Sequence, residues 1–80
     1  MKLPRDISGK ELAKRLEKYG YRITRQTGSH LRLTQSSPKM HHITIPNHPS
    51  LKIGTLNAVL NSVADHLKID KRALTEDLFG

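Results

Sequence analysis

Hydrophobic positions along the chain follow a helical period, then a strand period, then a helical one again. Leu12, Ala13 and Leu16, with Tyr19 beyond them, form an apolar stripe at helical spacing. Ser8-Gly9-Lys10-Glu11 ahead of it reads as a capping box, the Ser8 hydroxyl and Glu11 carboxylate each satisfying an orphan amide. Ile7 and Leu12 bracket that box as a hydrophobic staple, and Gly20 can close the helix in a left-handed cap. A helix is therefore expected over residues 9–19. Beyond it Tyr21 and Ile23 alternate with Arg22 and Thr24, and Leu31 and Leu33 with His30, Arg32 and Thr34. Ile43 and Ile45 alternate with His42 and Thr44, and Pro46 ends that strand. Gln26-Thr27-Gly28-Ser29 is turn material, and residues 35–40 read as a loop. Over residues 51–67 Leu56, Val59, Leu60, Val63 and Leu67 restore the helical period. Asp70 is a good N-cap for a last short helix carrying Ala73, Leu74, Leu78 and Phe79.

These elements predict an α+β domain covering residues 1–80. Its three-stranded antiparallel sheet has helices on one face, in the order α-β-β-β-α with an additional short C-terminal helix. Strand parity places Tyr21, Ile23, Leu31, Leu33, Ile43 and Ile45 toward the helices. Arg22, Thr24, His30, Arg32, His42 and Thr44 then share the solvated face. Residues 66–80 are expected to pack locally or to extend a partner contact.

Charge turns that polar face into a candidate for binding. The net charge of +7 is uneven: residues 1–52 carry +8 and residues 53–80 carry −1. Not one Asp or Glu occurs over residues 18–64, a stretch holding Lys18, Arg22, Arg25, Arg32, Lys39 and Lys52. His30, His41, His42 and His48 lie in the same stretch. A polyanion is the ligand such a surface suits. With no cysteine, neither disulfides nor thiolate-bound zinc are available. No apolar run approaches the ~18 residues that suggest a membrane span, and residues 1–8 lack the apolar core of a secretory signal. A cytoplasmic protein is expected, with no membrane association.

Titratable imidazoles in basic surroundings suit metal-independent chemistry on RNA, which supplies its own nucleophile in the 2′-hydroxyl. Metal-dependent nucleases hold their ions with carboxylates, and the acid-free stretch offers none, so no metal or other cofactor is expected. His30, after the glycine turn, is the candidate general base or general acid. Its simpler alternative is a turn residue without chemistry. Ser29 beside it is not expected to make a serine hydrolase, because neighbours on a strand point to opposite faces and no acid orients the imidazole. His41 and His42 should diverge by the same parity, which disfavours zinc. Gly28 reads as a tight-turn glycine that also admits a phosphate close to the backbone. Gly54-Thr55 offers free amides at a helix start, or else close packing of helix on sheet with Thr55 near the N-cap. Lys10 and Lys14 read as a solvated face, and Tyr19 and Tyr21 as core or rim.

In order along residues 7–65, several short motifs resemble the HicA toxins. They are Ser8-Gly9-Lys10-Glu11-Leu12, the Tyr21-Arg22 strand start, Gly28-Ser29-His30, Ile45-Pro46-Asn47-His48, and Leu51-Lys52-Ile53-Gly54-Thr55-Leu56 followed by Val59-Leu60. Ile53 departs from the proline common before the Gly-Thr pair, and the tail is longer than in the shortest members. The resemblance implies a fold like the double-stranded RNA-binding domain, and a small endoribonuclease of a type II toxin–antitoxin pair. Such toxins cleave mRNA, block translation and arrest growth. It also implies that His30 is the catalytic residue and that a HicB antitoxin covers it. His48 matches the family's later histidine. Gly28, Ser29, Arg22, Arg25, Arg32, His42, His48 and Lys52 are the residues expected to contact RNA. DNA binding is not expected of this chain alone. The alternative is a non-catalytic RNA-binding module of the same fold, reading A-form shape through phosphates and 2′-hydroxyls. A weaker one is a protein-interaction domain whose basic face meets an acidic partner.

Overall fold

The computed structural model describes residues 3–37 and 39–80; Met1 and Lys2 of the opening segment and Pro38 of the expected loop lie outside them. Helix α1, Gly9–Leu16, begins where the Ser8 hydroxyl accepts the Glu11 N–H at 3.0 Å. The Glu11 carboxylate completes no box. It accepts instead from Arg15 Nε at 3.0 Å, one turn on, where a cation is the stronger partner. The remainder of the expected helix tightens into a 3₁₀ turn, Glu17–Tyr19, and stops at Gly20 with φ 88°. Strands β1 (Arg22–Gln26), β2 (His30–Gln35) and β3 (His41–Pro46) follow as an antiparallel sheet in the order β1-β2-β3. Helices α2, Ile53–Leu67, and α3, Lys71–Phe79, complete the expected α+β order. Asp70 caps α3 by accepting the Ala73 N–H at 3.2 Å.

Leu12, Leu16, Tyr21, Leu31, Leu33, Ile45, Leu56, Leu60, Val63 and Leu74 are fully buried between the sheet and the helices. Strand parity thus holds for β2 and β3, whose burial alternates as the pattern predicts. It fails in part for β1. Ile23 pairs with Leu33, yet stays 45% exposed at the edge of the sheet, beyond the cover of the helices. The reading of residue 35 as loop also fails. Gln35 ends β2 with its side chain buried, its amide donating to the Tyr19 carbonyl.

Residues 66–80 pack back on the chain. Leu74 and Leu78 are buried, Arg15 Nη1 donates to the Leu78 carbonyl at 2.6 Å, and Lys18 pairs with Asp77 at 3.0 Å. The Tyr19 hydroxyl donates to the same carboxylate. Its hydrogen bonds from Tyr19 and Lys18 hold Asp77 below the usual carboxylate range, while burial and then Asp77 push Tyr19 up to about 12.

A second polar network closes the sheet against α2. The Tyr21 hydroxyl meets His41 Nδ1 at 2.6 Å, Ser62 Oγ meets His41 Nε2 at 3.3 Å, and His66 Nε2 meets Gln35 Oε1 at 2.7 Å. The His41 and His66 rings stack with centroids 4.2 Å apart. Burial, then the neighbouring His66 and His42, lower the pKa of His41. The folded state therefore binds this proton less readily than the unfolded chain. The resulting stability is fully present above the ordinary imidazole value of about 6.5, and is lost as pH falls from there through the depressed folded value. Thermal melts should show a larger drop from pH 7 to pH 5 for the wild type than for His41→Gln; equal drops would remove His41 from the account.

Candidate functional site

The hairpin between β1 and β2 sets His30 in place. The Thr27 N–H donates to the His30 carbonyl at 2.9 Å, and the His30 N–H donates to Thr27 Oγ1 at 3.1 Å. Gly28 and Ser29 form the tip. Gly28 has a φ outside the left-handed region, and a Cβ built on it meets nothing within 4 Å. The turn itself does not need glycine, contrary to the tight-turn reading. What the missing side chain leaves is open space beside His30.

Ser29 also departs from expectation. Its Oγ lies 2.9 Å from His30 Nδ1, because Ser29 belongs to the turn and strand alternation does not apply to it. The hydroxyl holds the imidazole by one nitrogen. His30 Nε2 makes no hydrogen bond among the described residues and faces solvent.

From the tip a shallow groove of about 330 Å³ runs along the open sheet face, lined by Arg25, Thr27, His30, Arg32, His42 and Thr44. Arg25 reaches it through a bulge. Arg22 pairs with Thr34 and Ile23 with Leu33, but Arg25 pairs with Arg32, leaving Thr24 as the extra residue. Strict alternation would have turned Arg25 toward the helices. The bulge puts it beside Arg32, while Thr24 still reaches Thr34 Oγ1 at 2.8 Å. Thr34 Oγ1 in turn meets His42 Nδ1 at 2.8 Å. His41 and His42 diverge as parity predicts, one into the Tyr21 network and the other onto this face.

The groove gathers His30, Arg25, Arg32 and His42 of the expected site residues, with Gly28 and Ser29 at its end. Arg22 stands on the same face in the adjoining hollow with Thr24 and Thr34. His48 and Lys52 line neither. They lie in the segment after β3, exposed, His48 accepting the Gly9 N–H through its carbonyl at 3.0 Å and Lys52 forming the N-cap of α2. That segment nevertheless runs beside the hairpin tip, since the Asn47 N–H donates to the Ser29 carbonyl at 2.8 Å. Gly54 is exposed, and a Cβ there meets nothing within 4 Å, so close helix–sheet packing is not its role; Thr55 stands near the Lys52 N-cap, in the first turn of α2. Thr27 and Thr34 belong to the site and were not among the expected residues. Parity alone marked Thr34, which shares the phase of His30 and Arg32.

Fold and groove together define a small α+β protein with a cationic, histidine-bearing sheet face. The family model described as HicA toxin of bacterial toxin-antitoxin matches residues 9–64. The chain belongs to the HicA toxin family and is thus the toxin side of a toxin–antitoxin system. The match runs from α1 into α2 and contains the whole groove, while α3 lies beyond it. No curated protein and no solved structure matches the chain. Among the described residues no helix is long and apolar enough to cross a membrane.

Proposed function

We propose that this toxin is a metal-independent endoribonuclease that cleaves mRNA in the cytoplasm through His30 and so arrests translation and growth. The observation that carries this reading is the imidazole of His30, fixed at Nδ1 by Ser29, open at Nε2 and set at the end of an arginine-lined groove. RNA cleavage needs a proton removed from the attacking 2′-hydroxyl, one delivered to the departing oxygen, and stabilisation of the extra phosphate charge. His30 Nε2 serves one of the two proton transfers. Arg32 and Arg25 supply the charge stabilisation, and the open space at Gly28 lets a phosphate approach the tip. None of the residues lining this groove is a carboxylate, so they offer a divalent ion no acidic ligand.

A HicB antitoxin covering this face would silence the toxin. Complementarity asks such a partner to present carboxylates toward Arg25 and Arg32. The decisive experiment incubates the purified chain with mRNA in excess EDTA. Cleavage that persists under chelation is the expected result. Binding without cleavage would favour a non-catalytic RNA-binding module, and cleavage only with added divalent metal would overturn the metal-free chemistry.

A further inference from the structure

Three contacts run across the open sheet face. Thr24 Oγ1 lies 3.4 Å from the Arg32 carbonyl oxygen and 2.8 Å from Thr34 Oγ1, which lies 2.8 Å from His42 Nδ1. Each needs one proton. A carbonyl has none to give, and the two hydroxyls have one apiece. All three bonds are made only if His42 donates from Nδ1. Thr24 then donates to Arg32, Thr34 to Thr24, and His42 to Thr34. In a neutral imidazole so committed, Nε2 is an acceptor. It makes no hydrogen bond among the described residues, and His42 lines the groove shared with His30 and Arg32.

Register decides what that acceptor can reach. His42 stands opposite Thr34, four residues from His30 along β2. At the rise of a strand this is about 13 Å, and each ring is held by a hydroxyl at its own end of the groove. A general acid and a general base act on the leaving and attacking oxygens of one phosphate, a few ångströms apart. Backbone positions this far apart, with each ring tethered to a hydroxyl beside it, favour contacts to neighbouring nucleotides instead. Arg32 lies between the two histidines, paired with Arg25 across the ladder, where a phosphate of the intervening backbone would sit.

We propose that His42 is a specificity residue and not the second catalytic group: its Nε2 accepts a hydrogen bond from a donor on a nucleotide flanking the one attacked at His30. Thr34 and Thr24 are positioning residues that hold the acceptor tautomer. On RNA the donor is a ribose 2′-hydroxyl or an N–H of a base edge. The proposal rests on the ribonuclease reading for the ligand, and the tautomer rests on the proton count with the 3.4 Å contact of Thr24 to the Arg32 carbonyl included.

The test is steady-state cleavage of a short RNA with one cut site. His42→Ala and Thr34→Val are each expected to raise KM about tenfold with kcat changed less than about threefold, the pattern of lost uniform binding. Thr34→Ser keeps the hydroxyl and should behave as wild type. Substrates lacking either a single flanking 2′-hydroxyl or a single base amino group identify the donor. The deletion that raises KM for the wild type should have no further effect on His42→Ala. A fall in kcat at constant KM for His42→Ala, an unchanged KM for either variant, or a Thr34→Ser that matches Thr34→Val overturns the proposal. If the wild type does not cut, the nuclease reading fails separately. The same RNA is then titrated by fluorescence anisotropy, where a Kd about tenfold weaker for His42→Ala and Thr34→Val sustains the proposal and an unchanged Kd ends it.

Discussion

His30→Ala is expected to lower kcat for RNA cleavage by roughly 10²–10⁴-fold, the usual contribution of a positioned proton-transfer group. KM should move little, because phosphate attraction comes from Arg25, Arg32 and their neighbours. Stability should also hold, within about 0.5 kcal/mol. The His30 side chain is exposed, and among the described residues its ring bonds only to the turn residue Ser29. The backbone bonds to Thr27 that set the hairpin survive the change. Single-turnover cleavage beside a thermal melt separates the two effects. Recovery of part of the rate on adding free imidazole would show that a proton carrier was what the variant lost. A variant within about threefold of wild type would remove His30 from the chemistry and leave the groove as a binding surface only.

How much of this was legible in the sequence varies with how local the cause is. The helix starts, the left-handed stop at Gly20 and the alternation in β2 and β3 depend on neighbours a few residues apart, and all were readable. The HicA resemblance rested on ordered short motifs, and the family match over residues 9–64 bears it out. The bulge at Thr24 was not readable, since nothing in Ile23-Thr24-Arg25 marks an extra residue. It matters because it carries Arg25 into the groove. Ile23 shares the phase of the core positions, but a period cannot say which strand lies at an edge. Gln35 looked like loop because its partners, Tyr19 and His66, are far away in sequence. Strand alternation begins only at His30, so it does not separate the Ser29 hydroxyl from the imidazole beside it.

The glycines give the clearest case of a constraint invisible in sequence, and the largest expected effect on stability. Gly9→Ala should destabilise the fold by about 3 kcal/mol, at or above the upper end for overpacking, whereas Gly54→Ala should stabilise it by about 0.5–1 kcal/mol. Both glycines lie in the first turn of a helix. Propensity alone would favour alanine at each. At Gly54 a Cβ meets only open space. At Gly9 it would overlap the Pro46 carbonyl oxygen, and it would also stand 3.2 Å from the Pro46 carbonyl carbon and 3.3 Å from Ile45 Cγ2. The obstructing atoms are mainly backbone, so relief requires α1 to lift from the end of β3. Lifting it would strain the Gly9 N–H bond to the His48 carbonyl. The chain next to His48 holds the Ser29 carbonyl through the Asn47 N–H, so the disturbance would travel to the tip that carries His30. Chemical denaturation of the two variants measures the stability difference directly. Cleavage by the folded fraction of Gly9→Ala should fall with it, while Gly54→Ala cuts as wild type. A Gly9→Ala protein as stable as its parent would show that α1 does not seat on β3 this closely.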